Sequence, residues 1–264
     1  MNYEKICKEV CLISREVGLF LKNEISKVKA TDIESKGLHD FVTYVDKNSE
    51  KKIIKKLSEI LPEAGFIAEE KTSTSKSDEY NWIVDPLDGT TNYIHELPIY
   101  SISIALMKKG KVVVGVVYEV NLDECFYAWE NSIAFMNDKE IKVSDRNKIS
   151  DALLATGFPY YDYSDLNRYM KLFTYFLKNS HGIRRLGSAA VDLAYVACGR
   201  FEGFFEYGLN PWDVAAGAFI VQQAGGKNYD FKGNDNFIFG KEIVASNSAI
   251  AQEFVGVIKS VYEK

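Results

Sequence analysis

Apolar residues recur at steps of three and four through Ile6, Val10, Ile13, Val17, Phe20 and Leu21, which predicts a first amphipathic helix. Residues 30–45 read as a loop, or as a short hairpin around Gly37. The helical period returns in Ile53, Ile54, Leu57 and Ile60, predicting a second helix from about Asp46 to Leu61, which Pro62 ends. Two short apolar runs follow, Gly65-Phe66-Ile67-Ala68 and Trp82-Ile83-Val84. Such runs predict buried strands, and the polar stretch 71–78 between them predicts a surface loop. From Ile99 the period becomes two. Ser101–Leu106, Lys111–Val120 and Glu124–Glu130 are expected strands, with a turn at Lys109-Gly110. Asn131-Ser132 and Asn137-Asp138 look like hairpin turns, the second joining Ile133–Met136 to Glu140–Val143 in one antiparallel meander.

Past residue 150 the texture changes. Expected strands Ala152–Thr156, Ile183–Arg185, Phe204–Tyr207 and Ile243–Ala245 alternate with expected helices Leu166–Lys178, Ala189–Cys198, Trp212–Ala224 and Ala249–Tyr262. That alternation predicts a helix-flanked sheet. The chain is therefore expected to combine an α+β half over 1–148 with an α/β half over 149–264. No linker is long enough to part them, so one compact body with the site between the halves is expected.

Composition narrows the function. The 264 residues are 47% hydrophobic and 26% charged, with a net charge of −5. No global basic field draws nucleic acid or an anionic membrane, and an anionic substrate would need local cations such as bound metal ions. Cys7, Cys11, Cys125 and Cys198 contain no Cys-x-x-Cys pair. Cys7 and Cys11, one helical turn apart, read as partly buried thiols of a reduced cytoplasmic protein. The start of the chain lacks the apolar core of a signal peptide, and no apolar run approaches the roughly 18 residues of a membrane span.

The chemistry concentrates in Asp85-Pro86-Leu87-Asp88-Gly89-Thr90-Thr91-Asn92, directly after an apolar strand. Turning there can aim Asp85, the Leu87 carbonyl, Asp88 and Thr90 at one volume. Clustered carboxylates repel unless a cation lies between them, and an all-oxygen set suits Mg²⁺, Mn²⁺ or Ca²⁺. Taken alone, the segment is equally an ordinary turn closed by Asp and Thr caps. Glu69, at the end of the earlier apolar run, and Asp213, where a helix begins after Pro211, add two further carboxylates. Asp213 also suits a helix start electrostatically. Gly187-Ser188-Ala189 is either a plain N-cap or a helix start whose free N–H groups meet phosphate or substrate oxygens. His39, His95 and His181 lack the spacing of a zinc site. Arg184 and Arg185 read as surface or interface residues before phosphate contacts, and Tyr160-Tyr161-Asp162-Tyr163 as packing.

Three segments in order carry a resemblance: Gly65-Phe66-Ile67-Ala68-Glu69-Glu70, then Trp82 through Asn92, then Pro211-Trp212-Asp213-Val214-Ala215-Ala216-Gly217 through Ala224-Gly225-Gly226. Together they resemble the inositol monophosphatase family of lithium-sensitive, metal-dependent phosphatases, nearly end to end. The resemblance implies a layered αβαβα sandwich and a cytoplasmic homodimer. It implies hydrolysis of a small phosphate monoester, foremost myo-inositol 1-phosphate, by metal-activated water. Two to three Mg²⁺ ions are implied as cofactor, with Mn²⁺ as a substitute and Ca²⁺ or Li⁺ as inhibitors. Roles follow by position. Glu69, Asp85, the Leu87 carbonyl and Thr90 would bind a first metal, Asp85, Asp88 and Asp213 a second, and Glu69 would help hold a third. Asp46 would sit beside Thr90 and orient the attacking water, and Lys36 would ride a loop closing over the site. Asp88, Gly89, Thr90, Gly187, Ser188, Ala189 and Asp213 would meet the substrate, and Glu206 its hydroxyls. Asn210 and Ser188 depart from a His and a Thr common in the family, which loosens the substrate assignment. Fructose 1,6-bisphosphate, histidinol phosphate and 3′-phosphoadenosine 5′-phosphate are the rival substrates, and a non-enzymatic interaction protein the rival class. A phosphatase with an aspartyl nucleophile in Asp-x-Asp is disfavoured, because Asp85 and Asp88 are three apart.

Overall fold

The computed structural model describes residues 1–37, 40–73, 75–158 and 163–262. Leu38 and His39, and Tyr160-Tyr161-Asp162 of the tyrosine cluster, lie outside the described residues. The chain opens with α1 (Tyr3–Glu24), then β1 (Ile33–Gly37) and β2 (Asp40–Thr43), which pair antiparallel. Of the two readings of residues 30–45 the hairpin holds, so Lys36 lies in a strand rather than a loop. Next come α2 (Tyr44–Ile60), β3 (Gly65–Ala68), β4 (Tyr80–Asp88) and the short α3 (Thr90–Ile94). The meander follows as β5 (Ser101–Lys108), β6 (Lys111–Glu119), β7 (Glu124–Trp129), β8 (Ala134–Met136) and β9 (Lys139–Ile141). Its turns take the left-handed backbone that tight hairpins need: φ is 47° at Lys109, 66° at Asn131, and 47° and 63° at Asn137 and Asp138.

The second half runs β10 (Leu153–Thr156), α4 (Leu166–Asn179), β11 (Gly182–Arg184), α5 (Ala189–Ala197), β12 (Gly203–Tyr207), α6 (Pro211–Gln223), β13 (Lys227–Tyr229), β14 (Glu242–Ser246) and α7 (Ala251–Tyr262). β13 escapes the sequence pattern, since three residues are too few to show alternation.

Strands β3 to β9 form a seven-stranded sheet in sequential order, parallel only between β3 and β4. The five-stranded sheet has the order β11-β10-β12-β14-β13, with β10 parallel to both neighbours and β14 antiparallel to both of its own. On one face of the larger sheet, α1 and α2 bury Val10, Leu21, Ile53 and Leu57 against Trp82, Val84 and Ile104. On its other face Ile83, Ala105 and Val117 meet α5 and α6, whose opposite sides pack on Phe204 and Ala245 of the smaller sheet. α4 and α7 cover that sheet's outer face through Leu172, Phe176, Phe254 and Ile258. The layers run αβαβα, as the resemblance implies.

This layering accounts for the apolar run at 82–84. Successive strand residues point to opposite faces, and both faces of β4 are covered by helices. Each such side chain, wholly withdrawn from water, contributes on the order of 1.5–3 kcal/mol. α6 is sandwiched between sheets on both sides, so it is apolar around its whole circumference and shows no helical stripe. Cys7 and Cys11 are fully rather than partly buried, because the covered face of α1 carries both. No helix among the described residues is long and apolar enough to cross a membrane.

Candidate active site

In a regular strand, residues three apart point to opposite faces. β4 breaks that rule where the chemistry lies. Asp85 stands opposite Ser103 and Asp88 opposite Ser101, so three steps on β4 match two on β5. One residue is extra, which makes a bulge. Pro86 lies inside it, where its missing N–H leaves no ladder bond unmade. The bulge brings Asp85 and Asp88 to the wall of one cavity of about 430 Å³, shared with Glu69, Thr90 and Asp213.

Each carboxylate is held by its own local frame. The Leu87 N–H donates to Asp85 Oδ1 at 2.9 Å. Asp88 Oδ2 accepts from the Ser188 hydroxyl at 2.6 Å and from the Ala190 N–H at 2.8 Å, which fixes it to the first turn of α5. Asp213 Oδ2 accepts the Asn210 N–H at 2.7 Å, so it caps α6 and lines the pocket at once. Glu69 follows β3. The turn after it is pinned by Glu50 of α2, a fully buried carboxylate that accepts the N–H groups of Glu70 and Thr72, each at 2.7 Å. Glu70 meets that clamp through its backbone N–H and does not line the pocket.

The electrostatics are those of carboxylates crowded without water. Burial, and then Glu69, Asp88 and Asp213 in turn, push the Asp85 carboxyl well above its ordinary range. Burial, followed by Asp88 and Glu69, does the same to Asp213. Asp88 is pushed up to about 6 by burial, moderated by its bonds from Ser188 and Ala190 and by Arg185.

Thr90 opens α3 behind Gly89, whose φ is 95°. The Thr90 hydroxyl lies 3.1 Å from Asp46 Oδ1 and 3.0 Å from the Leu87 carbonyl. One O–H donates to one acceptor at a time. Donation to Asp46 therefore leaves the Leu87 carbonyl and the Thr90 lone pairs open to a cation. Asp46 is buried behind Thr90, where its other oxygen accepts both the N–H and the hydroxyl of Thr43, at 2.8 and 2.6 Å. It caps α2 and meets Thr90, but it is not on the pocket wall.

The facing wall comes from the second half of the chain. Gly187 (φ 93°) lets the segment before α5 pass close to Asn92, whose amide ties the Leu186 and Ile99 carbonyls together at 2.8 Å each. Glu206, on β12, is 6% exposed and abuts Gly157. A Cβ at position 157 would fall 2.1 Å from the Glu206 carboxyl atoms, so only glycine leaves room for that group. Burial pushes Glu206 up to about 8, against the opposing pull of Arg185.

With this geometry in view, the comparisons are decisive for kinship. Residues 2–263 match the inositol monophosphatase family. The chain belongs to that family. It is 40% identical over 248 residues to a putative Nus factor SuhB of Neisseria meningitidis serogroup B, covering 94% of this chain and 95% of the relative. It is 36% identical over 245 residues to an inositol-1-monophosphatase of Mesorhizobium japonicum, covering 92% of each. The crystal structure of the Bartonella henselae extragenic suppressor protein suhB superposes with a TM-score of 0.92 at 37% identity, over 97% of this chain and 98% of that one.

Of the site residues expected from the family pattern, Glu69, Asp85, Leu87, Asp88, Gly89, Thr90, Gly187, Ser188, Ala189, Glu206 and Asp213 all line the pocket. Asp46 is off its wall, and Lys36 lies in β1. The donors fit a hard divalent cation, since they are oxygens, buried, and mutually repelling. Among the described residues, no three His, Cys, Asp or Glu side chains form a ready-made metal centre. Glu69, Asp85, Asp88 and Asp213 line one pocket and would together hold such a cation. Sequence reasoning missed Lys71, Phe41 and Asp192, which also line the pocket, and ranked Arg185, another lining residue, first as a surface or interface residue. Arg185 faces the site instead of lying at an outer surface, because the left-handed Gly187 folds the segment after β11 back over α3.

Proposed function

We propose that this protein is a Mg²⁺-dependent phosphatase of small phosphate monoesters, with myo-inositol 1-phosphate as the foremost substrate. The observation that carries the reading is the bulge that turns Asp85 and Asp88 into one pocket, with Glu69 and Asp213 as their electrostatic neighbours. Glu69, Asp85, the Leu87 carbonyl, Asp88, Thr90 and Asp213 would hold the divalent ions. When bound, such ions supply positive charge to the phosphoryl and leaving oxygens and lower the pKa of water. The chain's own residues do the rest. Arg185, on the pocket wall, offers the phosphate protein-borne positive charge. The Thr90–Asp46 pair fixes the hydroxyl that meets the attacking water, and Asp46 is the acceptor along which that hydroxyl's proton points. Glu206, protonated up to about pH 8, donates to or accepts from a hydroxyl of the alcohol moiety. We extend the proposal to inhibition by Li⁺ and to a cytoplasmic homodimer.

The test is phosphate release by purified protein, with Mg²⁺ or with chelator. The panel is inositol 1-phosphate, fructose 1,6-bisphosphate, histidinol phosphate and 3′-phosphoadenosine 5′-phosphate. Mg²⁺-dependent preference for the first is expected. Preference for another moves the substrate and keeps the ions. No turnover on any of them would point to a substrate outside the panel or to a binding role.

A further inference from the structure

The pocket has a carboxyl with no task so far. Asp192 lies in the first turn of α5, is 1% exposed, and forms part of the cavity lining. Its Oδ1 is buried and meets no hydrogen-bond partner among the described residues. Buried polar atoms in native proteins are nearly always paired, and an unpaired one costs on the order of 1–3 kcal/mol. An orphan on a cavity wall is therefore the place where a ligand's polar group completes the structure.

Its charged surroundings say which group. Glu206 is its strongest charged neighbour, followed by Asp88, and Arg185 is the one cation acting on it. Two carboxyls close together and away from water hold at least one proton between them. A protonated carboxyl donates through O–H and accepts through its other oxygen, as a hydroxyl does. A phosphate at this end would meet acceptors and negative charge, and a methyl group would leave Oδ1 unpaired. A pair of neighbouring hydroxyls satisfies both side chains at once.

We propose that Asp192 is a specificity residue of this pocket. Its unpaired Oδ1 binds one hydroxyl of the ester's alcohol moiety, beside the hydroxyl bound by Glu206, so that the site selects phosphate monoesters of polyols with adjacent hydroxyls. The inference rests on the phosphatase reading above.

The test pairs variants with substrates. kcat/KM is measured for wild type, Asp192→Asn and Asp192→Ala on inositol 1-phosphate, on its monodeoxy analogues, and on p-nitrophenyl phosphate, which has no alcohol hydroxyls. In Asp192→Ala the preference for inositol 1-phosphate over p-nitrophenyl phosphate is expected to fall about 10- to 100-fold, the worth of one hydrogen bond to a buried polar group, mostly through KM. One deoxy analogue should lose a similar factor with wild type and nothing further with the variant. An unchanged preference ratio overturns the proposal, because a purely structural role lowers all substrates alike. Should the variants not fold, a wild type that hydrolyses every deoxy analogue as well as the parent overturns it equally. If wild type turns over none of the esters, the phosphatase reading fails instead. Calorimetric binding of the same esters then decides for Asp192: the same discrimination supports it, and uniform binding overturns it.

Discussion

The two ends of this pocket are built from the same functional group and do opposite work. At one end, after burial, Glu69, Asp88 and Asp213 raise the pKa of Asp85, and Asp88, Glu69 and Glu206 raise that of Asp213. Their frames leave oxygens turned to a common space: Asp88 is anchored through Oδ2 and Asp85 through Oδ1. At the other end Glu206 and Asp192 are buried likewise, but fewer carboxylates act on each, Asp88 on Glu206 and Glu206 and Asp88 on Asp192, and Arg185 opposes the shift in both. There the cheaper resolution is a proton. On the function proposed above, the first end takes a cation and the second hydroxyls. What separates them is the number of carboxylates that face one another, which residue type alone does not reveal.

The largest expected effect breaks the cation end. Asp88→Asn removes one ligand charge while keeping an acceptor for Ser188 and Ala190. Turnover should fall by about 10³-fold, in the range seen when a transition-state electrostatic contact is lost, with the circular dichroism spectrum unchanged. Near-wild-type turnover would contradict the metal assignment.

Next in size is the proton end. Glu206 titrates near 8 in the folded chain against an ordinary 4.5, so between those values the native state binds more protons than the unfolded state. Stability from this group is complete below about pH 4.5 and is lost as pH rises toward 8. Glu206→Gln cannot lose that proton. Urea unfolding with chelator should find the variant no different at pH 4 and more stable than wild type at pH 9, by on the order of 4 kcal/mol. Equal stability at pH 9 would mean that the carboxyl is solvated.

A smaller effect sharpens the geometry. Gly157→Ala drives a methyl group into the Glu206 carboxyl and should raise KM for inositol 1-phosphate by roughly tenfold, the scale of one displaced hydrogen bond, leaving kcat less affected. Unaltered KM would show that Glu206 does not touch the alcohol. Smallest of all, Ser188→Ala removes the N-cap of α5, whose hydroxyl lies 3.3 Å from the Val191 N–H, and the bond to Asp88. A loss of about 1 kcal/mol in denaturant unfolding is expected. No loss would mean that Asp88, rather than Ser188, caps that helix.

The centre of the proposed cation end was legible in the sequence because Asp85 through Thr90 lie within six positions, and Pro86 flags the break in the strand. The division into two sheets was legible in the change of period near residue 150, whereas the layered αβαβα order came from the family resemblance. The hydroxyl end was only half legible. Glu206 follows from family position, whereas Asp192 sits in an apolar helix among Val191, Leu193 and Ala194 and reads as an incidental polar residue. Arg185 was misjudged because its direction depends on the left-handed backbone at Gly187, a tertiary consequence of the contact with Asn92. β13 and the exact ends of the meander strands were set by pairing with neighbours, which local patterning does not encode.

The most direct test of the contrast is a calorimetric titration of Mg²⁺ into the wild type, Asp88→Asn and Glu206→Gln at pH 7.5. Binding that is lost in Asp88→Asn and kept in Glu206→Gln is the predicted result. Equal loss in both, or unaltered binding in Asp88→Asn, would contradict the division of the pocket into a cation end and a hydroxyl end.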